Sequence, residues 1–261
     1  MIEHNFKKKF GQNFISDKNL LNAIVSDAGI DENSQVLEIG AGMGTLTEAI
    51  SEKAQKVVSY EIDKDLKEHL LGLNLNNVEF VFEDALKQPL EEIEKHFDKN
   101  YSLIANLPYY ITTPLIFKFL NGSKKIDNLT IMVQKEVAER VVAKCGSKDY
   151  GILTIMIEFF GSAKITRIVK RNMFYPVPNV DSAMLKIDIE RGKFEGIDGA
   201  KFYEFVGGAF SMRRKTLKNN LSKFLGEKKS KLDNVSAFTL AKRPEEFSIE
   251  ELVDLYKTIY Q

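Results

Sequence analysis

Between Gln35 and about Ile189 short apolar runs alternate with segments of helical period, and this alternation constrains the fold more than any other feature of the chain. The runs are Val36–Ile39, Val57–Tyr60, Val78–Val81, Tyr101–Ala105, Leu129–Gln134, Ile152–Phe160 and Ala183–Ile189. Each reads as a buried strand, because β-branched and aromatic residues in runs of this length suit the interior of a covered sheet. Strands that alternate with helices imply an α/β fold built on a mainly parallel, doubly wound sheet. After Arg191-Gly192-Lys193 the strand signals stop, and 201–208, 215–225, 228–238 and 249–260 are helical in period. The expected organisation is a sheet domain over residues 1–192 and a small all-helical domain over 193–261. Ahead of the sheet, residues 6–16 form a basic, aromatic arm, followed by a helix that Ser16 can cap and Gly29 can close.

Net charge is zero, but the charges are segregated. Residues 31–100 are strongly acidic, whereas 211–231 carry eight basic side chains against one acid, Glu227. Lys7-Lys8-Lys9 and the group Lys164, Arg167, Lys170 and Arg171 are further basic clusters. Segregated basic patches point to a polyanionic partner. No window has the length and apolarity of a membrane span, and the first residues do not read as a signal or transit peptide, so a cytoplasmic protein is expected. Cys145 is the single cysteine, which excludes an intrachain disulfide, and His4, His69 and His96 have no metal-ligand spacing. The expected chemistry therefore uses no metal, thiol or histidine base.

The chemistry-bearing residues fall where strands end. The first strand runs into Glu38-Ile39-Gly40-Ala41-Gly42-Met43-Gly44-Thr45, a glycine turn that lets the backbone approach a ligand closely. Thr45 stands where a dinucleotide fingerprint needs Gly or Ala, so the turn wraps a ligand without a pyrophosphate. About 20 residues beyond the glycines, the second strand ends in Glu61-Ile62-Asp63, where a carboxylate can accept from both hydroxyls of a ribose. The third ends in Glu83-Asp84-Ala85, where Asp84 can take the amino group of an adenine. The fourth ends in Asn106-Leu107-Pro108-Tyr109-Tyr110. Here a side-chain amide, free carbonyls beside a proline and an aromatic ring come together, which suits a flat base bearing an exocyclic amine. Ligands of open α/β sheets bind along this carboxyl edge.

Phe10-Gly11-Gln12-Asn13-Phe14, Glu38–Gly44, Glu61-Ile62-Asp63, Glu83-Asp84-Ala85, Asn106–Tyr109 and Phe174–Ala183 together resemble the ribosomal RNA adenine dimethyltransferases, within that family the small-subunit type. The resemblance implies a Rossmann-like class I methyltransferase domain with a seven-stranded, mainly parallel sheet and a C-terminal helical domain that binds rRNA. It implies S-adenosyl-L-methionine as cofactor, held by Gln12, Asn13, Ile15, Glu38, Gly40, Gly42, Glu61, Ile62, Asp84, Ala85 and Asn106. The target base is expected on Asn106, Leu107, Pro108 and Tyr109, stacked between Tyr109 and Phe174. Lys7, Lys8, Arg213, Arg214, Lys215 and Lys218 are the expected RNA contacts. The implied substrate is 16S rRNA in the immature small ribosomal subunit, dimethylated on two adjacent adenosines near its 3′ end by a monomeric enzyme. Tyr110-Ile111-Thr112-Thr113-Pro114 and Arg213–Leu221 favour this type over the Erm-type enzymes that act on large-subunit RNA. A non-catalytic assembly factor and a DNA adenine methyltransferase are the other readings; the latter typically carries Asp where this chain has Asn106.

Overall fold

The computed structural model describes residues 13–260. The described chain divides into two compact units. The first comprises the residues up to Ala138 together with Lys164–Ile189; the second comprises Glu139–Ala163 and the chain from Glu190 onward.

The first unit opens with the two-residue strand β1 (Phe14–Ile15) and helix α1 (Lys18–Ala28). Asp17, not Ser16, caps α1, its carboxylate accepting from Leu20 N at 2.9 Å, and Gly29 closes it in the left-handed conformation. Strands β2 (Gln35–Ile39), β3 (Lys56–Tyr60), β4 (Val78–Val81), β5 (Tyr101–Asn106) and β6 (Ile126–Gln134) follow, with helices α2 (Thr45–Ser51), α3 (Lys67–Leu71), α4 (Leu90–Glu94) and α5 (Tyr109–Gly122) between them. Helices α6 (Lys135–Val141) and α7 (Ile152–Phe160) precede β7 (Gly161–Val169), β8 (Phe174–Tyr175) and β9 (Ser182–Ile189).

One sheet has the order β4-β3-β2-β5-β6-β9-β7. Neighbours from β4 to β6 are parallel, and β9 runs antiparallel to β6. The seven-stranded, mainly parallel architecture is the one expected. From β2 the chain moves outward through β3 to β4, then returns to place β5 on the other side of β2. The junction of β2 and β5 is therefore a topological switch point, where connections leave in opposite directions and open a crevice. In the register, Ile39 lies beside both Tyr60 and Ala105, and Tyr60 beside Val81, so the four turns that follow share one edge.

One strand assignment is corrected. Ile152–Phe160 is helix α7, with Thr154, Ile155, Met156, Ile157 and Phe159 buried. A short run that is apolar apart from Thr154 and Glu158 fits a buried helix as well as a buried strand, and periodicity does not separate them. The seventh strand is instead β7, whose Lys164 and Arg167 suit its place at the edge of the sheet, where charge discourages pairing with other chains. Arg167 donates to both carboxylate oxygens of Asp27, at 3.1 and 3.2 Å, and Lys170 reaches Asp181 at 2.8 Å. Half of that basic cluster is thus tied to acids of the same unit.

The second unit contains α7 and the helices α8 (Gly199–Ala209), α9 (Leu217–Leu225), α10 (Ala237–Ala241) and α11 (Ile249–Tyr260). Its core is aromatic: Phe159 stacks on Phe202 and Phe194, with centroids 4.6 and 5.5 Å away, and Tyr256 packs edge-on against Phe202 and Phe205. The third and last crossing between units falls at 189/190, and the boundary read from the sequence is at 192/193. Residues 139–163 also group with the helices, because the apolar surface of α7 is buried against them. Among the described residues no helix is long and apolar enough to cross a membrane.

Candidate active site

The crevice at the switch point is a cavity of about 240 Å³. Its walls come from the Asn13–Ile15 arm, the glycine turn, the ends of β3 and β4, and the turn after β5.

The glycine turn is held from beneath. Gly40 and Ala41 both donate to Tyr60 O, at 2.8 and 3.2 Å, which draws the turn onto the end of β3. Gly40 has φ +86°, and a Cβ there would meet Leu107 Cδ2 at 2.8 Å, so this glycine lets the β2 and β5 turns close on each other. Gly42 has φ +56°, and its Cβ would strike the Phe14 ring at 2.9 Å. Thr45, which excluded the dinucleotide reading, donates through Oγ1 to Ile15 O at 2.9 Å and fastens the arm to the start of α2.

Glu61 is 4 % exposed, yet it lines the cavity. Oε2 accepts from Gly42 N at 2.8 Å and Oε1 from Asp63 N at 2.7 Å. Burial raises its pKa, and these two backbone donors oppose the rise. Each carboxylate oxygen keeps a second lone pair for a hydroxyl from the cavity. Ile62 is 46 % exposed and supplies an apolar ledge beside it. Asp84 and Ala85 form the next part of the wall, and Asp84 Oδ1 accepts from Leu86 N at 3.0 Å.

At the turn after β5, Asn106 Nδ2 donates to Asn13 O at 3.3 Å. That bond fixes the rotation of the amide and leaves Oδ1 as its acceptor. The Leu107 carbonyl precedes the first turn of α5 and takes no turn or capping bond from a described backbone N–H. Tyr109 lines the cavity, its hydroxyl bonded to Ser182 Oγ at 2.8 Å. The site thus places two oxygen acceptors beside an anchored aromatic ring.

Three groups of expected site residues stand differently. Glu38 does not line the cavity: it is fully buried within β2, where Oε2 accepts from Thr47 Oγ1 and Ser59 Oγ, both at 2.6 Å. Burial pushes its carboxyl up to about 7, and Oε1 has no hydrogen-bond partner among the described residues. Alternation along the strand turns Ile39 toward the cavity and Glu38 into the packing. Phe174 does not line the cavity either: it is 3 % exposed, pairs with Ile15 across the β1–β8 ribbon, and belongs to a core cluster with Ile15, Leu21 and Met184. Gln12, Lys7 and Lys8 lie outside the described residues. In the second unit Arg213, Arg214, Lys215 and Lys218 are exposed around the start of α9, and Arg213 donates to Lys148 O.

Several lining residues carried no assigned role, notably Phe14, Met43, Tyr60, Leu86 and Tyr110. The aromatic arm and the residues beside each motif were the available signal.

A parallel α/β sheet whose switch-point crevice joins a glycine turn to a buried acid and an Asn-Leu-Pro-Tyr turn defines a Rossmann-like methyltransferase. Residues 3–261 match the family model described as ribosomal RNA adenine dimethylase. The chain is 43 % identical to the ribosomal RNA small subunit methyltransferase A of Caldanaerobacter subterraneus subsp. tengcongensis, covering 97 % of each chain. It is 39 % identical to the protein of the same name from Clostridium acetobutylicum, over 98 % of this chain and 94 % of that one. A dimethyladenosine transferase from Plasmodium falciparum superposes with a TM-score of 0.78 at 27 % identity, covering 94 % of this chain and 98 % of that one. The 23S rRNA methyltransferase ErmE gives 0.68 at 26 %, covering 95 % and 100 %. The chain belongs to the ribosomal RNA adenine dimethylase family and is an rRNA methyltransferase.

Proposed function

We propose that the protein transfers methyl groups from S-adenosylmethionine to the N6 amino groups of two adjacent adenosines in the 3′-terminal hairpin loop of 16S rRNA, acting in the cytoplasm on the immature small subunit. The observation that carries this reading is the pair of acceptors, Asn106 Oδ1 and the Leu107 carbonyl, at the end of β5 beside Tyr109. The small-subunit substrate is supported by full-length identity of about 40 % to relatives named for small-subunit methylation.

The residues in the crevice fit the cofactor. Glu61 retains lone pairs for both ribose hydroxyls, Asp84 offers an acceptor to the adenine amine, and Ile62 gives the adenine an apolar face. When bound, S-adenosylmethionine supplies an electrophilic methyl on a cationic sulfur. An adenine amine is a poor nucleophile because its lone pair is delocalised into the ring. Asn106 Oδ1 and the Leu107 carbonyl would each accept one N–H, favouring a pyramidal nitrogen with its lone pair directed at the methyl. No base need act before transfer, since the amine acquires its positive charge in forming the bond and loses a proton afterward. Stacking on Tyr109, whose ring Ser182 anchors, offsets part of the cost of drawing the base out of its stack. For the second transfer the amine retains one N–H, so one acceptor must tolerate a methyl. Arg213, Arg214, Lys215 and Lys218, together with Lys7 and Lys8 of the arm, would neutralise phosphates.

The test supplies labelled S-adenosylmethionine separately with immature small subunits, large-subunit RNA and DNA. Label is expected in dimethyladenosine of the small subunit. Label confined to large-subunit RNA would replace this reading by the Erm-type one, and binding without transfer would leave an assembly factor.

A further inference from the structure

Helix α5 begins at the base-binding turn, and its far half holds the opposite wall of the cavity. Lys118 lies nine residues beyond Tyr109, about 13 Å along the helix axis, too far to touch the reacting amine. Its ammonium donates to Ala85 O and Leu86 O, each at 2.9 Å, and also to Gln88 O. These carbonyls belong to the turn after β4, which Asp84 opens by accepting from Leu86 N through its carboxylate and from Lys87 N through its carbonyl, both at 3.0 Å. Three carbonyl dipoles converging on one point repel each other unless a cation sits among them. An ammonium has three donors, and here all three are used. Lys118 is half-buried; burial lowers its pKa, and the negative charge of Asp84 opposes that shift.

We infer that Lys118 is a positioning residue that sets selectivity for the adenine ring of the cofactor, by locking the 84–88 turn so that Asp84 faces the exocyclic amine. The inference rests on the proposed reading of the cavity as an S-adenosylmethionine site. It adds a residue outside the lining of the cavity.

The test is calorimetric and needs no turnover. Wild-type protein and Lys118 variants are titrated with S-adenosylhomocysteine and with its deaminated analogue, in which a ring carbonyl replaces the amine. Wild type should prefer the amine by at least about tenfold, the effect of one hydrogen bond to a charged group. Lys118→Met should weaken S-adenosylhomocysteine about tenfold and the analogue little, so that the preference collapses toward unity. Lys118→Arg, which keeps donors for the carbonyls, should restore most of the preference. Should Lys118→Met fail to fold, Lys118→Gln, with fewer donors and no charge, carries the same expected collapse. A preserved preference, or equal weakening of both ligands, in a folded variant overturns the assignment while leaving the cofactor site standing. Wild-type protein that binds neither ligand overturns both.

Discussion

The carboxyl edge of the sheet and the basic start of α9 both carry polar residues read as functional, but they are built in opposite ways. At the sheet edge the polar groups are held before any ligand arrives: Glu61 grips Gly42 N and Asp63 N, Asn106 is tied to Asn13 O, and Tyr109 to Ser182. Around the start of α9, Arg213, Arg214, Lys215 and Lys218 stand exposed on long flexible stems. Preorganised groups act on charge that develops at one atom, so their loss is sharp and individual. Exposed cations act on a diffuse polyanion through counterion release, so their loss is graded and depends on salt.

The largest effect should come from Asn106→Ala. Folding and cofactor affinity should remain close to wild type while single-turnover methyl transfer falls on the order of a hundred- to a thousand-fold, the usual consequence of removing one preorganised polar group. Near-normal transfer at saturating substrate would reduce the turn to a structural element and erase the contrast at its strongest point.

A second, smaller effect concerns the buried acid beneath the turn. A carboxyl whose folded pKa is raised to about 7 holds its proton more tightly in the folded chain. Its contribution to stability is therefore full below the unfolded value near 4.5 and is lost as pH rises toward and through 7. The loss should be on the order of 3 kcal/mol at most, from the size of the shift. Glu38→Gln keeps the shape without the charge, so urea titrations from pH 5 to 8 should show a flatter profile than wild type. Identical slopes for the two proteins would mean that Glu38 is ionised throughout.

The smallest effect per residue belongs to the α9 segment. Replacing Arg213, Arg214 and Lys215 with Ala should weaken subunit binding and reduce the slope of log affinity against log salt by about 0.7 to 0.9 for each phosphate no longer neutralised. Filter binding across a salt series measures this directly. An unchanged slope would show that these side chains meet no phosphate, and an abrupt loss of binding from one substitution would place the segment with the preorganised kind.

The sheet-edge site could be read from the chain because each part follows the end of an apolar run, and parallel strands bring such ends together. Ile152–Phe160 is a helix where a strand is expected, since a short, mostly apolar run does not by its period tell helix from strand. Glu38 and Phe174 belong to recognisable motifs, but a motif does not say which way a side chain faces; strand alternation buried the first and the β1–β8 ribbon the second. Lys118 was invisible for a different reason. Its partners are main-chain carbonyls some thirty residues upstream, and carbonyls leave no mark on the amino-acid string.

The chain crosses between its two units three times, and this sets an order of events during synthesis. Residues 139–163 leave the ribosome before β9, the strand that takes its place between β6 and β7, yet the rings that cover Phe159 belong to Phe194 and Phe202, made later still. The nascent protein therefore carries an uncovered apolar helix while its sheet is being completed. For the same reason a cut after residue 192, where the strand signals end, would not free a self-sufficient catalytic half: it would strand α7 without its aromatic neighbours, and such a fragment should be sticky and short-lived in solution.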